Sequence, residues 1–138
     1  MDDLERGPAG SGATAKILVV DDSDDTRDMM AKLLELESFA VVTAQDGVDA
    51  LKVAADEQPD LILTDVNMPN LNGIEMIREL RKRPGFRRVP VIAITAYGNG
   101  VANEALEAGA DGAATKPVRF NELLERIKQL LERSKGIA

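Results

Sequence analysis

Short apolar runs alternate with helical patterns along most of this chain. Residues 17–20 (Ile-Leu-Val-Val) are apolar but too few for a helix, and from Ser23 onward Met29, Met30, Leu33, Leu34 and Leu36 recur at helical spacing. Residues 39–44 read as a second strand, weaker than the first and suited to a sheet edge. Residues 47–56 carry Val48, Leu51, Ala54 and Ala55 on one helical face, and Pro59 closes that pattern. A third strand at 61–64 is followed by a loop over 68–73 and a helix with Ile74, Ile77 and Leu80 turned inward. Residues 91–94 give a fourth strand, 101–108 an Ala-rich helix stopped by Gly109, and 112–115 a fifth strand of small residues. The final helix, from 119 to about 133, has the clearest stripe: Phe120, Leu123, Leu124, Ile127, Leu130 and Leu131.

Strict alternation of strand and helix predicts a parallel sheet with right-handed crossovers and helices on both faces. Such a sheet binds ligands beyond the carboxyl ends of its strands, where the strand order reverses. In the order 2-1-3-4-5 the first and third strands are central neighbours, which sets Asp21 and Asp22 against Asp65 across the switch point. Thr95 and Lys116 end the next two strands. Three carboxylates, a hydroxyl and an amine therefore converge on one edge of a single domain spanning 16–134. Residues 1–15, rich in Gly, Ala, Ser and Pro, read as a disordered tail, and 135–138 as a short C-terminal one.

Composition narrows the chemistry. The chain of 138 residues has no cysteine, so it has neither a disulfide framework nor a thiolate site, and this fits a reducing compartment. It has no histidine, which excludes His-based acid/base catalysis, His-ligated metals and an internal phosphohistidine. A phosphoryl donor, if there is one, is another molecule. The formal charge of −7 argues against a general nucleic-acid surface. Arg78, Arg81, Lys82, Arg83, Arg87 and Arg88 form a local basic run without interleaved aromatics, read here as a helix C-terminus followed by a solvated loop at Pro84-Gly85. No apolar stretch approaches bilayer length and no signal-peptide core is present, so a soluble, cytoplasmic protein without a membrane partner is expected.

Clustered carboxylates repel and cannot all stay ionised without compensation. A hard cation provides it; Mg²⁺ takes oxygen ligands and is typically held by one or two carboxylates together with phosphate oxygens. One carboxylate can then act as a nucleophile toward phosphorus, with an amine and a hydroxyl to stabilise the transferring group. Asp65 is the best candidate, because it stands alone at a strand end whereas Asp21 and Asp22 form a pair. Asp24 and Asp25 have a simpler account as acids at a helix start. Singly, Thr95 and Lys116 are unremarkable; their joint placement with the acids carries the inference.

Val19-Val20-Asp21-Asp22, the run Asp65-Val66-Asn67-Met68-Pro69 with Gly73 four residues on, Thr95-Ala96 and Lys116-Pro117 together resemble the receiver domain of two-component response regulators, including single-domain chemotaxis-type receivers. The resemblance covers residues 16 to about 134 and implies a flavodoxin-like fold. It implies that Asp65 is the phosphoacceptor, Asp22 a direct Mg²⁺ ligand, Asp21 a ligand through water, and Asn67 a ligand through its backbone carbonyl. Thr95 and Lys116 would take phosphoryl oxygens, and the Lys116–Pro117 bond would be cis. The implied donor is a phosphohistidine on a histidine kinase or phosphotransfer protein, and the implied role is signalling, not enzymatic turnover. The last two helices and the fifth strand correspond to the family's usual partner surface.

The sequence departs from the family pattern at Ala113, where receivers often carry an aromatic residue. The only tyrosine, Tyr97, falls two residues after Thr95 and is expected either to shield the phosphorylated aspartate from water or to sit in the loop without a role. The chain ends soon after the last helix, which favours a stand-alone receiver; a fragment of a larger regulator would look the same. Two other readings stay open: an aspartate-nucleophile phosphatase resembling the haloacid dehalogenase type, although no insertion is long enough for a cap, and a pseudo-receiver scaffold that is never phosphorylated.

Overall fold

The computed structural model describes residues 14–96 and 99–136. Strands β1 (Lys16–Val20), β2 (Ala40–Ala44), β3 (Leu61–Asp65), β4 (Val91–Thr95) and β5 (Gly112–Thr115) alternate with helices α1 (Asp24–Leu36), α2 (Gly47–Glu57), α3 (Gly73–Arg81), α4 (Asn99–Ala108) and α5 (Phe120–Gly136). All pairings are parallel, and the order is β2-β1-β3-β4-β5, the flavodoxin-like order expected from the sequence.

The pleat sorts the apolar runs between two cores. Leu18, Val20, Ile62, Val91 and Ala93 point to one face and pack with Ala50 and Ala54 of α2, Met76, Ile77 and Leu80 of α3 and Ala105 of α4. Ile17, Val19, Leu61, Leu63, Ile92 and Ile94 point to the other and meet Leu34 of α1 and Leu123, Ile127, Leu130 and Leu131 of α5. Because successive strand residues face opposite sides, a strand covered on both sides must be apolar throughout. This is why β3 and β4 are buried at every position while edge strands β2 and β5 carry exposed Thr43 and Thr115. Each fully buried leucine or isoleucine contributes about 1.5–3 kcal/mol relative to an exposed one.

Helix starts follow capping chemistry. Ser23 Oγ accepts the Thr26 N–H, Asp46 accepts the Asp49 N–H, and Asn72 Oδ1 accepts the Glu75 N–H. Asp24 and Asp25 occupy the first turn of α1, as expected, and Asp24 pairs with Arg27.

The structure corrects several details. Val48 and Ala55 of α2 are exposed and the buried face is Ala50 and Ala54, with Leu51 and Val53 half-buried; Met29 and Leu36 of α1 face solvent as well. The helix after β4 begins at Asn99 instead of Val101, and α5 runs on to Gly136, into the stretch expected to be a tail. Ala15, expected to belong to the N-terminal tail, packs against the α1/α5 core, and its carbonyl accepts the Ala40 N–H. Pro84-Gly85 is not simply a solvated loop: Pro84–Phe86 forms a turn of 3₁₀ helix that buries Phe86.

The basic run hides a structural residue. Arg81 ends α3, yet its guanidinium turns inward and donates to the carbonyls of Phe86 (2.6 Å), Val89 (2.7 Å) and Gly109 (2.8 and 3.1 Å), and to Asp111 Oδ2 (3.0 Å). It thereby ties α3, the loop before β4 and the α4–β5 turn together. Gly109 has φ +124°, and a Cβ there would stand 2.8 Å from Arg81 Cγ, so both backbone conformation and space demand glycine. Lysine cannot reproduce a planar fork of donors. Arg81→Lys should lower unfolding free energy in urea by about 2–3 kcal/mol; a loss below about 0.5 kcal/mol would show that the clamp is dispensable.

Candidate functional site

The carboxyl ends of the strands deliver the predicted residues to one place. Asp21 follows β1 directly, and its backbone N–H donates to Ala44 O at 3.1 Å. Asp65 closes β3, and Val20 lies opposite Thr64 in the register, so the residue after each partner faces the other strand's end. Carboxylate oxygens of Asp21, Asp22 and Asp65 all fall within 4.8 Å of one another. Asp21 and Asp65 are buried and Asp22 is exposed. Lys116, just past β5, brings Nζ to 3.5 Å from Asp65 Oδ2, and Thr95, fully buried, ends the strand between them. The Lys116–Pro117 peptide is cis, and the Lys116 N–H donates to Thr95 O at 2.8 Å. Asn67 is exposed in the loop that leaves Asp65. Tyr97 lies outside the described residues.

Other groups hold these side chains in place. Asp21 Oδ1 accepts the Ser23 N–H at 2.9 Å, and Arg27 Nη1 donates to the Asp21 carbonyl at 2.9 Å, so the first turn of α1 fixes the acidic corner. Asp65 Oδ1 accepts the Val66 N–H at 2.9 Å, which leaves Oδ2 facing Lys116. Gly73 opens α3 against the backbone of Asp65: a Cβ there would lie 2.3 Å from Asp65 O. That close approach gives the glycine of the sequence motif a physical reason. A cavity of about 240 Å³ opens onto the carboxylates, with Asp21, Thr26, Met30, Asp65, Lys116 and Pro117 in its wall.

Sequence reasoning missed two residues of this neighbourhood. Asp46 caps α2 and also accepts a hydrogen bond from Asn70 Nδ2 at 2.7 Å, across from one loop to the next. These hydrogen bonds hold the Asp46 carboxyl below its ordinary range. A helix cap in the sequence Asp46-Gly47 was a readable signal; its second partner, distant in sequence, was not.

The Asp65 carboxylate is costly to ionise where it stands. Burial pushes the Asp65 carboxyl above its ordinary range, Lys116 offsets part of that shift, and Asp21 adds to it by repulsion. A carboxyl whose folded value is raised binds protons more tightly in the folded state, so its contribution to stability is full in acid and is lost as pH rises through the folded value. At neutral pH the charge on Asp65 therefore weakens the fold. Asp65→Asn should be more resistant to urea than wild type in metal-free buffer at neutral pH, by about 1 kcal/mol, and the difference should vanish below the ordinary aspartate range. Equal or lower stability of the variant at neutral pH would contradict this.

The chain matches the response regulator receiver domain model over residues 17–128. It is 44% identical over 121 residues to a CpxR homolog, a transcriptional regulatory protein of Haemophilus influenzae, covering 87% of this chain and 52% of that protein. The chain thus spans about half the length of that relative. Among solved structures, Vibrio cholerae chemotaxis protein CheY4 superposes with a TM-score of 0.81 at 33% identity, covering 86% of this chain and 99% of that one. The receiver domain of sensor histidine kinase PA1611 from Pseudomonas aeruginosa, which holds a magnesium ion in its active-site cleft, gives a TM-score of 0.80 at 31% identity, covering 86% and 98%. With its sheet order, its acidic corner and its lysine all in the expected places, the chain belongs to the response regulator receiver domain family.

Proposed function

We propose that Asp65 accepts a phosphoryl group from a phosphohistidine of a partner kinase or phosphotransfer protein, in the cytoplasm and with Mg²⁺ present. The observation that carries this reading is one corner in which carboxylate oxygens of Asp21, Asp22 and buried Asp65 lie within 4.8 Å of one another and the Lys116 ammonium stands 3.5 Å from Asp65 Oδ2. Asp65 Oδ2 would attack phosphorus as the P–N bond to the donor imidazole breaks. The Lys116 ammonium and the Thr95 hydroxyl would receive two of the phosphoryl oxygens, replacing the contact Lys116 now makes with Asp65.

The donor set fits a hard cation. It is made of oxygen alone, and its three carboxylates lie within 4.8 Å of one another, close enough to gather round one ion directly or through a coordinated water. Asp21, Asp22 and Asp65 would hold Mg²⁺ together with the Asn67 backbone carbonyl, Asp21 through water. The ion would neutralise charge shared between the carboxylates and the incoming phosphoryl oxygens. The magnesium ion in the active-site cleft of the PA1611 receiver supports Mg²⁺ as the ion.

The output is proposed to be protein contact through α4, β5 and α5. The net charge of −7 disfavours nucleic acid as a direct partner of this domain. Among the described residues no helix is long and apolar enough to cross a membrane. On β5, Ala113 is half-buried opposite Ala93, and its carbonyl accepts from Arg126 Nη1 at 3.2 Å, so the outward signal has no aromatic relay at this position.

Incubation with acetyl phosphate and Mg²⁺, followed by intact-mass measurement, should add one phosphoryl group to wild type and none to Asp65→Ala. Lys116→Ala should slow labelling by about tenfold or more. Steady release of phosphate without an adduct would instead identify a phosphatase, and no reaction would identify a scaffold.

A further inference from the structure

The loop between Asp65 and α3 carries Asn67 and has firm ends. Val66 N–H donates to Ile94 O at 3.0 Å, Gly73 N–H donates to Val66 O at 2.9 Å, and Asn72 caps α3. Its middle is different. Among the described residues, the hydrogen bonds that hold positions 67–71 come from the turn before α2: Asn70 Nδ2 donates to Asp46 Oδ2 at 2.7 Å, and Gly47 N–H donates to Leu71 O at 3.0 Å. Asn70 sits at φ +67°, a left-handed conformation that asparagine tolerates better than most residues. Gly47 has no room for a side chain, since a Cβ would lie 2.2 Å from Leu71 O. Met68 and Leu71 add packing against the α2/α3 core, but apolar contact does not set the direction of a carbonyl.

We propose that Asp46 is a positioning residue: through Asn70 it fixes the loop whose backbone lies beside the acidic corner, and so sets how tightly that corner binds a divalent cation and how long the phosphorylated aspartate survives. The inference rests on the metal and phosphoryl roles proposed above for Asp65 and Asn67. Asp46 suits the task because it is buried, is held ionised by its donors and anchors both bonds on one carboxylate, Oδ1 on the α2 cap and Oδ2 on the neighbouring loop. A charge-assisted bond to a short, capped element is stiffer than a bond between two loop amides. Partners that orient a metal ligand without touching the metal commonly change affinity by tenfold or more.

Two substitutions separate this role from simple helix capping. Asp46→Ser keeps an N-cap oxygen but is too short to reach Asn70, and Asn70→Gly keeps the left-handed backbone but loses the amide. In the 138-residue chain, Mg²⁺ affinity by calorimetry and the half-life of the acetyl-phosphate adduct would be measured after urea unfolding shows each variant folded. Both variants should weaken Mg²⁺ binding by about tenfold and alter the adduct half-life by severalfold, and the double variant should be no worse than either alone. Folded variants within about twofold of wild type in both measurements would overturn the positioning role. A wild type that takes up neither Mg²⁺ nor phosphoryl would overturn the reading of the site itself, and this inference with it.

Discussion

Burial of the Asp65 carboxylate at a strand end, beside Asp21 and Asp22, is the constraint around which the site is arranged. Their oxygens are held within 4.8 Å by strand ends that the two cores fix, and two of the three are buried. Ionising the buried Asp65 costs folding free energy, chiefly through lost hydration with a smaller addition from Asp21, and Lys116 at 3.5 Å relieves only part of that cost. The fold sustains the cost because the strands beneath the site are apolar at nearly every position and covered on both faces. A cation bound beside Asp65, as proposed, would offset that cost. The same buried charge thus links stability to the metal and phosphoryl roles proposed for the site.

The scaffold around the corner is built from short polar contacts at loop ends. Arg27 holds the Asp21 carbonyl, Gly73 lets α3 begin against the Asp65 backbone, and Asp46 reaches Asn70 from the neighbouring turn. On the side of the sheet away from these loop ends, Arg81 performs a comparable task with one guanidinium shared among three carbonyls and Asp111. The first two are local, whereas Asp46–Asn70 and Arg81–Gly109 tie elements 24 and 28 positions apart.

Much of this was legible in the sequence, for physical reasons. Strands β1, β3 and β4 announce themselves because burial on both faces permits only continuous apolar runs, and their polar ends mark the carboxyl edge. The resemblance then gave each polar end a role. Amphipathic helices were read less well where alanine dominates: Ala50 and Ala54 face the core while the more hydrophobic Val48 points to solvent, because alanine gives little hydrophobic contrast by which to place the buried face. Arg81 looked like a cation in the last turn of a helix, since a charged side chain gives no sign that carbonyls from two later segments will surround it. Phe86 was hidden by a Pro-Gly signal that describes the backbone turn and not the burial of the ring beside it. The Asp46–Asn70 bond spans 24 positions and has no periodicity to reveal it.

The central claim is that the charge buried at Asp65, beside two further carboxylates, is poised for a cation. It is tested most directly by following the urea midpoint of wild type and Asp65→Asn as Mg²⁺ is raised from a chelated baseline. An ion that binds only the folded state stabilises it in proportion to the logarithm of its concentration once sites begin to fill. Wild type should begin as the less stable protein and rise steadily with Mg²⁺, while the variant, which lacks one of the three charges, should rise much less, so that the gap closes or reverses. Parallel curves, with the two proteins keeping the same difference at every Mg²⁺ concentration, would contradict the account.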